Sequence, residues 1–229
     1  MNCLYYLGVD LGGTNTAAAV ADETGRLYAK TKEKTPKTGG PDAVAECVCS
    51  AAREAAALAG VSLDQFRSVG IGAPGIVEPL SGRIEHWSGR SFQKVPFGGM
   101  VGKRLHLPVF LENDANAAAL GEFAAGAGQG AGHMVMVTLG TGVGCGILMG
   151  GKLYGGCNHA AGEMGHVVLV PNGIPCSCGR RGCFELYATA AALVRQTKEK
   201  MGSAKDSALW QLAGGKLSGV SGRTAFEAM

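Results

Sequence analysis

Leu7-Gly8-Val9-Asp10-Leu11-Gly12-Gly13-Thr14-Asn15-Thr16-Ala17-Ala18-Ala19-Val20 passes from one apolar run through a glycine turn into another. A strand from Cys3 to Val9 ending at Asp10, the turn Leu11 to Asn15 and a second strand from Thr16 to Val20 read as a β-hairpin. Arg26 to Thr35 alternates weakly and predicts a third, half-exposed strand. Pro41 and Asp42 open an alanine-rich helix that runs to about Ala59 and stops at Gly60. Ser68 to Ala73 predicts a fourth strand. Val109-Phe110-Leu111 predicts a fifth, ending in Glu112-Asn113-Asp114 and followed by a helix over Ala115 to Ala125. The order is three strands, helix, strand, helix, strand, helix, which is an α/β pattern.

After the glycine-rich join Gly126 to Gly132, an apolar strand, Met134 to Thr138, enters a second glycine turn, Leu139-Gly140-Thr141-Gly142-Val143-Gly144. Leu11-Gly12-Gly13-Thr14 is followed by Gly25-Arg26-Leu27-Tyr28, and Leu139-Gly140-Thr141-Gly142 by Gly151-Lys152-Leu153-Tyr154. Either the domain is duplicated, each copy opening with a hairpin whose turn could face a shared cleft, or the match is an accident of a chain with 38 glycines in 229 residues. Phe123 to Gly151 carries no formal charge and is long enough to cross a bilayer. Its ten glycines, with Gln129, His133, Thr138 and Thr141, fit a strand-turn-strand instead, so no membrane partner is expected.

With 46% hydrophobic and 17% charged residues the chain can bury a sizeable core, and disorder is excluded. A net charge of +3 gives no field that would recruit nucleic acid. The start lacks the basic and apolar regions of a secretory signal, so the expected location is cytoplasmic. Eight cysteines in that setting argue against a disulfide framework.

Three constellations carry chemistry. Asp10 with Gly12, Gly13 and Thr14, and the second turn with Gly140, Thr141 and Gly142, are candidate phosphate loops: glycines let backbone N–H groups meet anionic oxygens, and Asp10 can hold Mg²⁺ through water. A glycine hairpin can equally be only a hairpin, and neither turn is a P-loop or a Rossmann fingerprint. Asn113-Asp114 stands where a strand gives way to a helix; a carboxylate there can be a general base or simply a helix cap. Cys176-Ser177-Cys178-Gly179-Arg180-Arg181-Gly182-Cys183, with His166 ten residues upstream, offers three thiolates and one imidazole for a closed structural Zn²⁺ site, free buried thiols being the alternative. Cys3, Cys47, Cys49, Cys145 and Cys157 read as small core residues.

Taken in order, Asp10 to Asn15, Glu112-Asn113-Asp114-Ala115-Asn116-Ala117, Leu139 to Gly144, Gly162-Glu163-Met164-Gly165-His166 and Cys176-x-Cys178-Gly179-x-x-Gly182-Cys183-x-Glu185 resemble the ROK family of bacterial sugar kinases and repressors, from Leu7 to about Tyr187. The resemblance implies a duplicated actin-like (ribonuclease H-like) ATPase fold, α/β with mixed sheets. Domains over residues 1–125 and 126–229 are expected, the second incomplete because family members are longer. It also implies ATP-dependent phosphorylation of a hexose, glucose being the commonest substrate of such look-alikes. Asp114 would be the base, and Asn113, Glu163, His166 and Glu185 would hydrogen-bond the sugar. His166, Cys176, Cys178 and Cys183 would hold zinc, and Mg²⁺ would accompany ATP. A homodimer is the expected assembly. Sugar-sensing regulators of the family carry an N-terminal helix-turn-helix, whereas here the first strand begins within three residues of Met1; a sugar-binding module without turnover is a third reading. Where many of the kinases carry a substrate-touching Asn-Leu pair, this chain has Glu85-His86-Trp87-Ser88-Gly89-Arg90-Ser91, which leaves the sugar's identity open. An end at Met229 predicts a missing neighbour for the Met134–Thr138 strand, with weak activity or self-association through that edge.

Overall fold

The computed structural model describes residues 4–87 and 89–228. The chain divides into two compact units, one running to Val135 and including Gly146–Gly162, the other comprising Met136–Cys145 and the residues from Glu163 onward.

The first unit is built on a five-stranded sheet of β1 (Tyr5–Leu11), β2 (Asn15–Asp22), β3 (Leu27–Lys34), β4 (Phe66–Ala73) and β8 (Val109–Asn113), in the order β3-β2-β1-β4-β8. β1 pairs antiparallel with β2 and parallel with β4, and β4 pairs parallel with β8. The central strand alternates strictly: Leu7, Val9 and Leu11 are buried, Gly8 and Asp10 exposed. Along β3 only Thr31 is buried, as the weak alternation predicts.

Helix α1 (Gly40–Ala59) lays Val44, Val48, Ala51, Ala52 and Ala55 against β1, β2 and β3. Pro41 in its first turn matches the helical φ, and Gly60 ends it at φ 67°, its N–H reaching the carbonyls of Ala56 and Ala57. The helix predicted without bounds between the fourth and fifth strands is α2 (Phe97–Leu105), which packs on α1 and β8. Helix α3 (Asp114–Ala125) follows β8 without a break and packs on β4 and β8.

A small antiparallel sheet of β5 (Ile76–Glu78), β6 (Arg83–Trp87) and β7 (Phe92–Val95) had no counterpart in the sequence reading. The strand reading of the uncharged Phe123–Gly151 stretch holds: β9 (His133–Leu139) and β10 (Val143–Met149) flank the second glycine turn, and β11 (Lys152–Leu153) completes the order β11-β10-β9. That order repeats β3-β2-β1. No described helix is long and apolar enough to cross a membrane.

The second unit continues with α4 (Glu185–Ala188), α5 (Ala190–Ser203), α6 (Ala208–Leu212) and α7 (Gly222–Glu227). Its helices close over a small cluster of Met201, Ala213 and Val220, with Trp210 packed against it. Cys47, Cys49 and Cys145 are buried as expected; Cys3 lies outside the described residues. Cys157 corrects the reading: it is exposed, because it lies in a turn after β11, next to Gly156 at φ 70°, and not in a strand.

Candidate active site

In the first unit the site grows from the ends of β1, β4 and β8. The β1–β2 hairpin closes with the Gly12 N–H on the Asn15 carbonyl at 2.9 Å. A Cβ on Gly12 would stand 2.8 Å from that oxygen, so the turn requires glycine there. Asp10 sits exposed at the mouth of the turn, in register with Gly72 of β4. A Cβ on Gly72 would meet the Ala117 Cβ at 3.2 Å and the Asp114 Cα at 3.4 Å; its absence lets the start of α3 lie close over the sheet. Asp10 and Asp114 thus line one cleft of about 750 Å³, with Gly8, Ala17, Lys30 and Gly72. Lys30 escaped the sequence reading because a lysine on a half-exposed strand is ordinary.

The helix cap falls to Asn113. Its Oδ1 accepts the N–H groups of Ala115 at 3.0 Å and Asn116 at 3.1 Å, while its Nδ2 donates to the Gly75 carbonyl at 3.1 Å. Asp114 is the first helical residue, and burial pushes its carboxyl pKa up. The Ala115 N–H, 2.8 Å from its Oδ1, works against that shift, and the negative charge of Asp10 adds to it. Glu112 accepts from the Asn113 N–H at 2.8 Å and the Asn116 Nδ2 at 3.0 Å, fixing the strand-helix junction from the other side.

In the second unit the glycine turn is closed and anchored through Gly140: its N–H donates to the Gly142 carbonyl, and its carbonyl accepts the N–H of Ala190, the first residue of α5, each at 3.0 Å. Thr141 is exposed. Downstream, His166, Cys176, Cys178 and Cys183 bring one ligand atom each to within 4.8 Å of one another. The knuckle is shaped by glycine: Gly182 has φ 78°, and a Cβ there would fall 1.7 Å from the Val170 carbonyl oxygen. His166 Nδ1 faces Cys176 Sγ at 3.6 Å and Glu185 at 3.4 Å, whereas Nε2 faces Glu163 at 3.9 Å. The Arg180 N–H lowers the Cys178 thiol to about 7, toward the thiolate that ligates metal, while burial raises Cys176 and Cys183. A Cys₃His set at this spacing is the donor chemistry of a closed zinc site. The residues named from sequence therefore gather in two groups: Asp10, Gly12, Gly13, Thr14, Asn113 and Asp114 in the first unit, and Gly140, Thr141, Gly142, Glu163, His166, Glu185 and the three cysteines in the second.

A profile described as the ROK family matches residues 6–223. The chain belongs to the ROK family. Its strand order, three antiparallel strands followed by parallel ones with a second partial copy, is the actin-like ATPase fold of that family. Among ROK relatives, the chain is 39% identical over 219 residues to a glucokinase of Streptomyces coelicolor, covering 95% of this chain and 67% of that protein. The crystal structure of a ROK family glucokinase from Streptomyces griseus in complex with glucose and AMPPNP superposes with a TM-score of 0.83 at 39% identity, covering 98% of this chain and 70% of the other. A xylose repressor of Bacillus subtilis is 38% identical over 140 residues, 60% of this chain and 36% of that protein. The chain thus spans about two thirds of the length of the glucokinases it matches.

Proposed function

We propose that the protein is an ATP-dependent hexose kinase acting on glucose, with Asp114 as the general base that takes the proton from the hydroxyl to be phosphorylated. The observation that carries this reading is the junction of β8 and α3. Asn113 does the capping, so the Asp114 carboxylate, which is exposed to the open cleft and accepts the Ala115 N–H, is left available for chemistry. Burial favours the neutral form, which is the direction expected of a base that must accept a proton. In sequence, the likeness to the Streptomyces coelicolor glucokinase extends over 95% of the chain and that to the Bacillus subtilis xylose repressor over 60%.

The further roles follow from position. Asp10, Gly12, Gly13, Thr14 and the second turn at Gly140, Thr141 and Gly142 would receive the phosphates, Asp10 holding Mg²⁺ through water; that ion neutralises charge on the phosphoryl oxygens. Asn113 retains one Nδ2 hydrogen beyond its bond to Gly75, and Glu163, Glu185 and the Nε2 side of His166 supply further hydrogen-bonding groups for sugar hydroxyls. Zinc held by His166 Nδ1, Cys176, Cys178 and Cys183 would fix the imidazole ring and leave Nε2 for the sugar. Residues 1–125 and 126–229 are the proposed N-terminal and C-terminal actin-like domains, the second carrying the zinc knuckle.

Asp114→Asn tests the assignment in an ADP-release assay with a panel of hexoses. Turnover should fall by about 10²- to 10⁴-fold with sugar affinity changed only a few-fold. Because burial raises the Asp114 pKa in the fold, its ionised form costs stability at neutral pH. The variant should therefore melt higher than wild type at pH 7, the gain fading as pH falls through the carboxylate range. Unchanged turnover removes Asp114 from the chemistry.

A further inference from the structure

Three successive carbonyls of the first glycine turn are held from one side. The Gly12 oxygen accepts the Thr35 hydroxyl at 2.8 Å, the Gly13 oxygen accepts Arg90 Nη2 at 3.1 Å, and the Thr14 oxygen accepts the Thr35 N–H at 3.0 Å. Beneath them Thr35 Oγ1 meets Thr16 Oγ1 at 2.9 Å, and both threonines are buried. In a trans peptide the N–H points opposite to the C=O. Fixing these carbonyls therefore turns the N–H groups of Gly13, Thr14 and Asn15 the other way. Among the described residues neither the Gly13 nor the Thr14 N–H donates to another protein group. Successive free N–H groups in a glycine turn form an anion-binding nest.

Arg90 reaches this turn from the segment between β6 and β7, the stretch that stands in place of the Asn-Leu pair of many ROK kinases. Its other terminal nitrogen, Nη1, donates to the Pro36 carbonyl, and its guanidinium lies 5.1 Å from the centroid of the Trp87 ring. Trp87 is buried, edge-on to Phe92 at 5.3 Å. Arg90 is thus stacked on a fixed ring and forked between two carbonyls, an arrangement that a lysine cannot reproduce.

We infer that Arg90, seconded by Thr35, is a positioning residue for phosphate binding: it sets the peptide planes of the Gly12–Asn15 turn so that their N–H groups present a ready nest to the nucleotide phosphates. The inference rests on the kinase reading and adds a function for the segment where the chain departs from its family.

Isothermal titration of the full chain with MgADP, and separately with glucose, tests it across wild type, Arg90→Lys, Arg90→Met, Thr35→Val and Arg83→Met. Arg83 pairs with Glu85 on the same small sheet without touching the turn, and serves as the control. Arg90→Lys and Arg90→Met should each weaken MgADP by about tenfold, the loss of one hydrogen bond from a charged donor, and Thr35→Val by a few-fold. Arg83→Met should bind as wild type, and glucose affinity should change less than MgADP affinity in every variant. Either Arg90 variant binding MgADP as wild type does overturns the inference. So does a loss in Arg90→Met that Arg90→Lys fully restores, which would mark a pure charge effect, or a matched loss of both ligands with a lowered unfolding midpoint, which would mark a structural one. A wild-type chain that takes no MgADP overturns the kinase reading itself, an outcome distinct from a binding wild type with indifferent variants.

Discussion

Between α1 and the central sheet, Leu7, Leu11, Val20, Val44, Val48 and Val69 are each no more than 1% exposed, and the strands and helix there are held by apolar contact. Between Glu163 and Glu185 the pattern inverts. Val167, Val168, Leu169 and Val170 are all exposed, and the buried residues are Gly165, Cys176, Gly182 and Cys183. One region excludes water by area; the other has almost no area to use and instead gathers four ligand atoms around a point. The difference teaches that the sugar-binding groups proposed here, Asp114 in the first unit and Glu163, His166 and Glu185 in the second, stand on supports that should fail under different treatments.

Removing metal should separate the two most sharply. Cys178→Ala, or a strong chelator on the wild type, should release zinc, found at one ion per chain by elemental analysis of the untreated protein. Apparent zinc-binding energies in small folds are on the order of 10 kcal/mol. Limited proteolysis should then cut within residues 166–183 while the α1 and β1–β4 fragment persists. A metal-free chain resistant to protease would erase the contrast.

The converse perturbation is Leu7→Ala in the central strand. Truncating a fully buried leucine should cost about 2–5 kcal/mol in denaturant unfolding of the first unit and leave the zinc content at one. Loss of metal in that variant would mean that the two regions fold as one.

The smallest effect sharpens the picture of the sheet's edge. Asp22 closes the β2–β3 hairpin by accepting from the Thr24 hydroxyl at 2.6 Å, the Thr24 and Arg26 N–H groups and the Tyr28 hydroxyl. These bonds, the Thr24 hydroxyl foremost, hold its pKa down to about 2 from 3.8. A depressed carboxylate contributes stability above its unfolded pKa and loses it as pH falls through the folded one. Asp22→Asn should therefore melt modestly below wild type at neutral pH, with the gap closing between pH 4 and pH 2.

The hairpins, α1 and α3 were legible because their signals are local: period-2 alternation, glycine turns, a proline start and a glycine stop. The cysteine knuckle was legible because ligand spacing is itself a sequence pattern. The β5–β7 sheet was not. Its strands are three to five residues long, too short for alternation to register, and its course depends on Gly75, where a Cβ would lie 2.1 Å from the His86 carbonyl oxygen. Nor could sequence divide labour between Asn113 and Asp114, since both are favoured caps and only the bonds made by each side chain decide.

That division narrows what position 113 can tolerate. The Asn113 amide must accept two N–H groups at the head of α3 and donate one back to the Gly75 carbonyl. Aspartate would keep the acceptor and lose the donor, serine is too short to span both, and glutamine adds a methylene that moves both ends. In a saturation library selected for turnover, position 113 should consequently be as intolerant as position 114, although the two residues fail for unrelated reasons, one by misplacing the helix and the other by losing the proposed proton acceptor.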